Sequence, residues 1–135
     1  MHTDSRLLLP LRLFLAACIA VVLGIQLTPP WGVDFTRHDR SDWLVACGFL
    51  LWTASPLAML AAGAGLFRRA GPAMAVFAAG SALVAGVGLA VYAGAMHDLD
   101  PQFGLVFVFV PLAQWAAALG LVGVCLLLRW WLRRR

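Results

Sequence analysis

Hydrophobic residues form four long stretches along this chain, and the charged residues lie almost entirely between them. The stretches with almost no charge are Leu13–Thr28, Trp43–Phe67, Ala73–Met96 and Phe103–Leu128, and Arg12 stands just before the first. A helix rises about 1.5 Å per residue, so each stretch crosses a hydrocarbon layer of roughly 30 Å, the first with help from its flanks. The pattern predicts an all-α integral membrane protein with four transmembrane helices.

Prolines and polar turn residues indicate where these helices begin and end. We expect spans at approximately 10–28, 43–67, 72–96 and 102–128, with Pro10 in the first turn of span one. The short segment Arg68–Pro72 is typical of a tight turn, which favours an antiparallel hairpin of spans two and three as the firmest pair. The fold expected for residues 1–135 is one four-helix antiparallel bundle, with no second domain.

The arginines are divided unequally between the two sides that four crossings define. Eight precede span one, separate spans two and three, or follow span four, whereas only Arg37 and Arg40 fall on the opposite side. The positive-inside rule therefore predicts that both termini are cytoplasmic. Arginines that flank apolar helices also argue against nucleic acid as a partner. The absence of lysine and glutamate indicates a GC-rich bacterial genome, so we expect the bacterial inner membrane.

Small residues recur at every fourth position of span three. This small-residue stripe consists of Ala78, Ala82, Gly86, Ala90 and Gly94. Such a stripe lets a neighbouring backbone approach closely, and dispersion then replaces the hydrophobic drive that lipid removes. Two interpretations follow. The stripe packs against other spans of the same chain, or it contacts a second copy or a partner membrane protein.

Three uncharged polar side chains fall at mid-depth in the predicted spans: Thr53, Ser55 and Gln114. An amide that faces lipid costs several kcal/mol, so we expect Gln114 to turn inward. Pro56 and Pro111 each free a backbone carbonyl one turn earlier, which adds acceptors at a similar depth. These groups either hold the helices together or form a small binding pocket.

The segments between the spans on the expected outer side collect histidines and aspartates. They include His38, His97, Asp98 and Asp100. Zinc and copper bind such groups, but the spacing matches no metal-site motif, since neither HExxH nor CxxC occurs. We therefore expect solvated loops with Arg–Asp pairs, without a metal ion or a cofactor.

Apart from Arg12 near the start of span one, the expected spans contain none of the intramembrane acids and bases that mark most ion and proton pathways. We expect a protein that is not an enzyme and whose surroundings are the lipid bilayer. It would act by helix association, as a homo-oligomer or as an accessory subunit of an envelope complex. The alternative is a small transporter or channel that passes a neutral or weakly polar solute through the midplane layer of Thr53, Ser55 and Gln114.

Overall fold

A computed structural model describes residues 5–28, 40–69, 71–97 and 103–134. This part of the chain forms four helices: α1 (Ser5–Leu27), α2 (Arg40–Phe67), α3 (Gly71–His97) and α4 (Phe103–Arg134). Even α1, the shortest with 23 residues, is about 35 Å long. The apolar parts have mean hydropathies of 1.8 to 2.5, so all four helices are long and apolar enough to span a membrane. The prediction of four such helices is confirmed.

Large apolar side chains cover the outside of the bundle. Leu44, Val45 and Leu51 of α2 are each more than 70% exposed, and Leu83 and Leu127 are each 67% exposed. Soluble proteins rarely expose apolar patches of this extent, whereas lipid is the solvent that such a surface suits. The exterior is therefore that of a multi-pass membrane protein.

The helices pack as a ring in the order α1, α2, α4, α3. Contacts are most extensive between α3 and α4 and between α1 and α2, while α2–α4 and α1–α3 close the ring. Across the diagonals, α2 touches α3, whereas α1 and α4 make no contact within the described residues. α2 and α3 are therefore the central helices, and α1 and α4 are the outer ones.

The expectation that spans two and three form the firmest pair is wrong, because α2 and α3 pack least extensively of all the contacting pairs. They meet close to the turn that joins them, where the ring centroids of Phe67 and Phe77 lie 4.9 Å apart. A Cβ added at Gly63 would lie 3.4 Å from Cζ of Phe77. The short connection brings only the joined ends of α2 and α3 together. The broader apolar faces of these two helices pack against α1 and α4.

α1 and α4 extend furthest past their predicted spans. α1 begins at Ser5, so Pro10 lies inside the helix and not in its first turn, as we expected. The missing N–H of Pro10 affects the carbonyl of Arg6, which lies near the helix end where water reaches the backbone. α4 continues past Leu128 to Arg134. Cationic side chains stabilise a helix C-terminus, and Cζ of Arg134 lies 3.7 Å from the ring centroid of Trp130.

Local capping is also seen at the end of α1 and at the start of α3. α1 ends where the Thr28 hydroxyl donates to the Gly24 carbonyl (2.7 Å) and the Thr28 N–H donates to the Ile25 carbonyl (3.2 Å). α3 begins at Gly71, which has a φ of 22° that glycine adopts most readily, and continues with Pro72.

One end of the bundle gathers arginines from several helices, and we call it the arginine-rich end. Nη1 of Arg129, near the end of α4, donates to the carbonyl of Leu66 in the last turn of α2 (2.9 Å). Nε of Arg12 in α1 donates to the carbonyl of Ala61 in α2 (3.2 Å). Arg68–Arg69 follow α2 at the same end. The Leu66 carbonyl is one of the last four in α2, which have no helical partner, and the two bonds together join three helices at this end.

Candidate functional site

A buried amide joins α1 to α2. Nε2 of Gln26 donates to Oγ1 of Thr53 over 2.6 Å, and both side chains are almost fully buried. The Thr53 hydroxyl in turn lies 3.0 Å from the Leu50 carbonyl, to which it donates. Oε1 of Gln26 is buried without a partner in the described part of the chain. This buried hydrogen bond therefore links α1 to α2 and leaves the amide oxygen of Gln26 without a donor among the described residues.

A second polar contact joins α4 to α2. Nε1 of Trp115 donates to Oγ of Ser55 (2.9 Å), and the Ser55 hydroxyl donates to the carbonyl of Trp52 (2.7 Å). That carbonyl is the one that Pro56 deprives of its helical N–H. The relay from indole to hydroxyl to carbonyl therefore satisfies the proline defect and links two helices at the same time.

A third polar contact joins α4 to α3. Nε2 of Gln114 lies 3.4 Å from the Val84 carbonyl, a long hydrogen bond, and Oε1 of Gln114 is buried without a partner among the described residues. The amide lies directly against the Cα of Gly88, in space that any Cβ at this position would fill. Because Gly88 has no side chain, it leaves the space that the Gln114 side chain occupies.

Gln114 also lies at the bottom of a groove between α3 and α4. The groove has a volume of about 310 Å³, and its lining is otherwise apolar. We call it the α3–α4 groove; the side chains of Leu83, Val87, Val91 and Val110 contribute to its walls. Its chemistry suits an apolar molecule or chain segment, with one amide as the only polar feature in the lining.

The three predicted midplane residues are thus distributed over three different helix contacts. Thr53 pairs with α1, Ser55 with α4, and Gln114 with α3, and the described residues contain no hydrogen bond among the three. Sequence reasoning missed Gln26 and Trp115 as their partners. Gln26 stands near the end of its apolar stretch, and the indole N–H of Trp115 was not counted as polar; both signals were present in the sequence.

Two further buried polar atoms lie in the interior. Oγ of Ser81 and Oη of Tyr92 have no hydrogen-bond partner in the part of the chain that the structure describes. The Tyr92 ring stacks on Phe107, with centroids 5.2 Å apart, and Phe107 lies 6.1 Å from Phe49. This aromatic cluster packs α2, α3 and α4 together at the end away from the arginines.

Most of the small-residue stripe lies on the outside of the bundle. Ala82, Gly86, Ala90 and Gly94 are exposed, whereas Ala78 is half-buried and packs against the core. A Cβ built on Gly86 or Gly94 would meet no atom within 4 Å. Among the described residues, packing of the stripe within this chain therefore involves only Ala78, and the other four residues lie exposed on the surface.

Metal-ligating groups do not cluster in the described residues, since these contain no set of three His, Cys, Asp or Glu side chains able to hold an ion. His38, Asp98 and Asp100, together with the side chain of His97, lie outside the description. The thiols of Cys18 and Cys125 are buried and that of Cys47 is exposed, and all three are free.

Comparison with family models, with curated proteins and with solved structures gives no match for this chain. Its function has to be argued from its own residues.

Proposed function

We propose that this protein acts by helix association in the membrane, as a homo-oligomer or as an accessory subunit of an envelope complex. The observation that carries the proposal is the exposure of Ala82, Gly86, Ala90 and Gly94 on α3. In lipid, an uncovered row of small residues gains dispersion energy when another helix lies along it. A second copy of the same stripe, or a similar stripe on a partner protein, fits this surface.

The proposal includes a membrane topology. The helices run antiparallel through a bacterial inner membrane, with both termini in the cytoplasm. The arginine-rich end supports this arrangement, because Arg12, Arg69 and Arg129 come from different parts of the chain and gather at one end of the bundle. An excess of arginine marks the cytoplasmic side of membrane proteins.

Association is tested by filling the stripe. In Gly86→Leu the added Cβ meets no atom within 4 Å, so we expect the fold to be retained while a neighbouring helix is held away. We expect the crosslinked dimer or complex seen in native membranes to fall to a small fraction of its wild-type amount. Gly48→Leu is the matched control, because Gly48 is an equally open, exposed glycine on α2. An unchanged crosslinking pattern for Gly86→Leu contradicts the proposal.

The second candidate function is transport or conduction of a neutral or weakly polar solute. The buried, unpartnered Oε1 of Gln114 beside the α3–α4 groove favours it, because a solute with a hydrogen-bond donor would satisfy that oxygen. The polar pairs at Thr53 and Ser55 give less support, since each is already occupied by another helix.

Transport is tested with purified protein in vesicles and two neutral probes, glycerol and urea. If Gln114 contacts the solute, Gln114→Leu abolishes the protein-dependent flux. Gln26→Leu makes the same chemical change at a buried amide outside the groove and should leave the flux in place. Flux equal to that of empty vesicles, or equal loss in both variants, contradicts this function for these solutes.

A further inference from the structure

The arginine-rich end contains a cavity that the association proposal does not use. It has a volume of about 410 Å³ and lies where three chain segments meet. Its lining residues are Arg69 after α2, Gly71 and Pro72 at the start of α3, and Arg129, Leu132 and Arg133 near the end of α4. Half of the lining residues are therefore arginines.

The positive charge around this cavity has no carboxylate partner in the described part of the protein. No side chain that the structure describes is an aspartate or a glutamate. Guanidinium groups remain protonated at every physiological pH, so Arg69, Arg129 and Arg133 repel one another across the cavity. An anion between them removes this repulsion.

One of the three guanidinium groups is held in position. Arg129 is half-buried, and its Nη1 donates to the Leu66 carbonyl at 2.9 Å. This bond uses one of five N–H donors, which leaves four for another acceptor. The fixed planar donor set of arginine matches the oxygens of a phosphate group, to which it binds by paired hydrogen bonds. Arg69 and Arg133 are exposed and free to close on such a group from either side.

The rest of the lining agrees with an anionic ligand that also has an apolar part. Gly71 and Pro72 begin α3, whose first turn has N–H groups without helical acceptors. Pro72 and Leu132 supply an apolar wall beside the arginines. Phosphate attached to an acylated glycerol combines both features.

We propose that this cavity is a binding site for a phosphate group, with Arg129 as its fixed donor and Arg69 and Arg133 as its flanking donors. A headgroup of an anionic phospholipid and a small soluble phosphate ester share this chemistry. The site is independent of the small-residue stripe, so it stands or falls separately from the association proposal.

The test uses the full chain in neutral detergent and counts bound ligands by native mass spectrometry. The lipid arm compares phosphatidylglycerol with phosphatidylcholine, and the soluble arm adds glycerol 3-phosphate alone and as a competitor. The test variant is Arg69→Gln with Arg133→Gln, which spares Arg129 and its bond to α2. The matched control is Arg68→Gln with Arg134→Gln, which removes the same charge from neighbouring residues outside the cavity.

We expect the test variant to weaken binding of the phosphate ligand about tenfold, and the control to weaken it about twofold or less. If glycerol 3-phosphate binds and competes, the occupant is a soluble ester; if only phosphatidylglycerol binds, it is a lipid. Either result with the expected difference between variants supports the site. Equal weakening by both variants, or binding of phosphatidylglycerol no tighter than phosphatidylcholine with no binding of glycerol 3-phosphate, overturns it.

Discussion

Ser55 shows how a single residue solves two problems inside an apolar helix. Its hydroxyl donates to the Trp52 carbonyl that Pro56 leaves open, and the same oxygen accepts the indole N–H of Trp115. Without this hydroxyl, a carbonyl and an indole N–H would both be buried without partners. Unsatisfied backbone groups are costly in hydrocarbon, so the position of Ser55 next to the proline has a direct energetic reason.

We predict that Ser55→Ala lowers the free energy of unfolding by about 1 kcal/mol, within the range measured for hydrogen bonds between membrane helices. In a Pro56→Ala background the loss should be smaller, because the N–H of the new alanine bonds the Trp52 carbonyl. Unfolding in mixed detergent micelles measures both values, and a double-mutant cycle compares them. The same loss in both backgrounds would separate the Ser55 hydroxyl from the proline defect.

For single residues, the sequence identifies the polar groups that need hydrogen bonds more readily than it identifies their partners. It identifies Thr53, Ser55 and Gln114, and it identifies the carbonyl that Pro56 frees. It does not give their partners, because matching residues by depth assumes helices of equal length and equal tilt. Gln26 is one residue from the end of α1 yet contacts Thr53, well inside α2. Helix length and tilt depend on packing, which residue counting along separate helices does not capture.

The helices themselves follow directly from the apolar stretches, but their neighbours do not. Each stretch is long enough to form a membrane helix, and the four observed helices match the four predicted spans, except that α1 starts five residues earlier and α4 ends six residues later. The turn after Phe67 correctly indicates that α2 and α3 come close at one end. It says nothing about the faces they present, and the larger contacts of α3 are with α4.

Helix adjacency can be checked with pairs of cysteines in a chain whose three natural cysteines are replaced. We predict that Gln26→Cys with Thr53→Cys is joined by a short thiol crosslinker, because these side chains contact each other between α1 and α2. A protease site placed in segment 29–39 separates α1 from the rest, so joined halves remain together on a denaturing gel. The control pair, Gln26→Cys with Phe107→Cys, spans α1 and α4 and should separate. Efficient crosslinking of the control pair would contradict the ring order.

For the whole molecule, the informative property is the contrast between its surface and its interior. The surface carries large apolar side chains along all four helices, while the polar side chains of Gln26, Thr53, Ser81 and Gln114 are buried. Composition alone predicts this arrangement, because 63% of the residues are hydrophobic and the charges are confined to the flanks. Composition does not predict that most of the small-residue stripe is exposed, because this depends on which face of α3 the other helices cover.

The proposed topology leads to a prediction about reporter fusions. Green fluorescent protein attached to either terminus should fluoresce, because it folds in the cytoplasm, and alkaline phosphatase inserted in segment 29–39 should be active outside. Replacing Arg68 and Arg69 by asparagine should lower the orientation bias, since they are two of the eight arginines on the cytoplasmic side. Active phosphatase at either terminus of the unaltered chain would contradict this topology.

The ring order has a consequence for biosynthesis. α1, α2 and α3 all touch one another, whereas α4 touches only α2 and α3. Because α4 follows the other three helices in the chain, it docks onto α2 and α3 after both have been synthesised. Two glycines of α3, Gly80 and Gly88, leave room for side chains of α4. Leu121 and Gln114 occupy the space where side chains at those two positions would lie. In a nascent chain halted before α4, the spaces beside Gly80 and Gly88 would lack the two side chains that fill them.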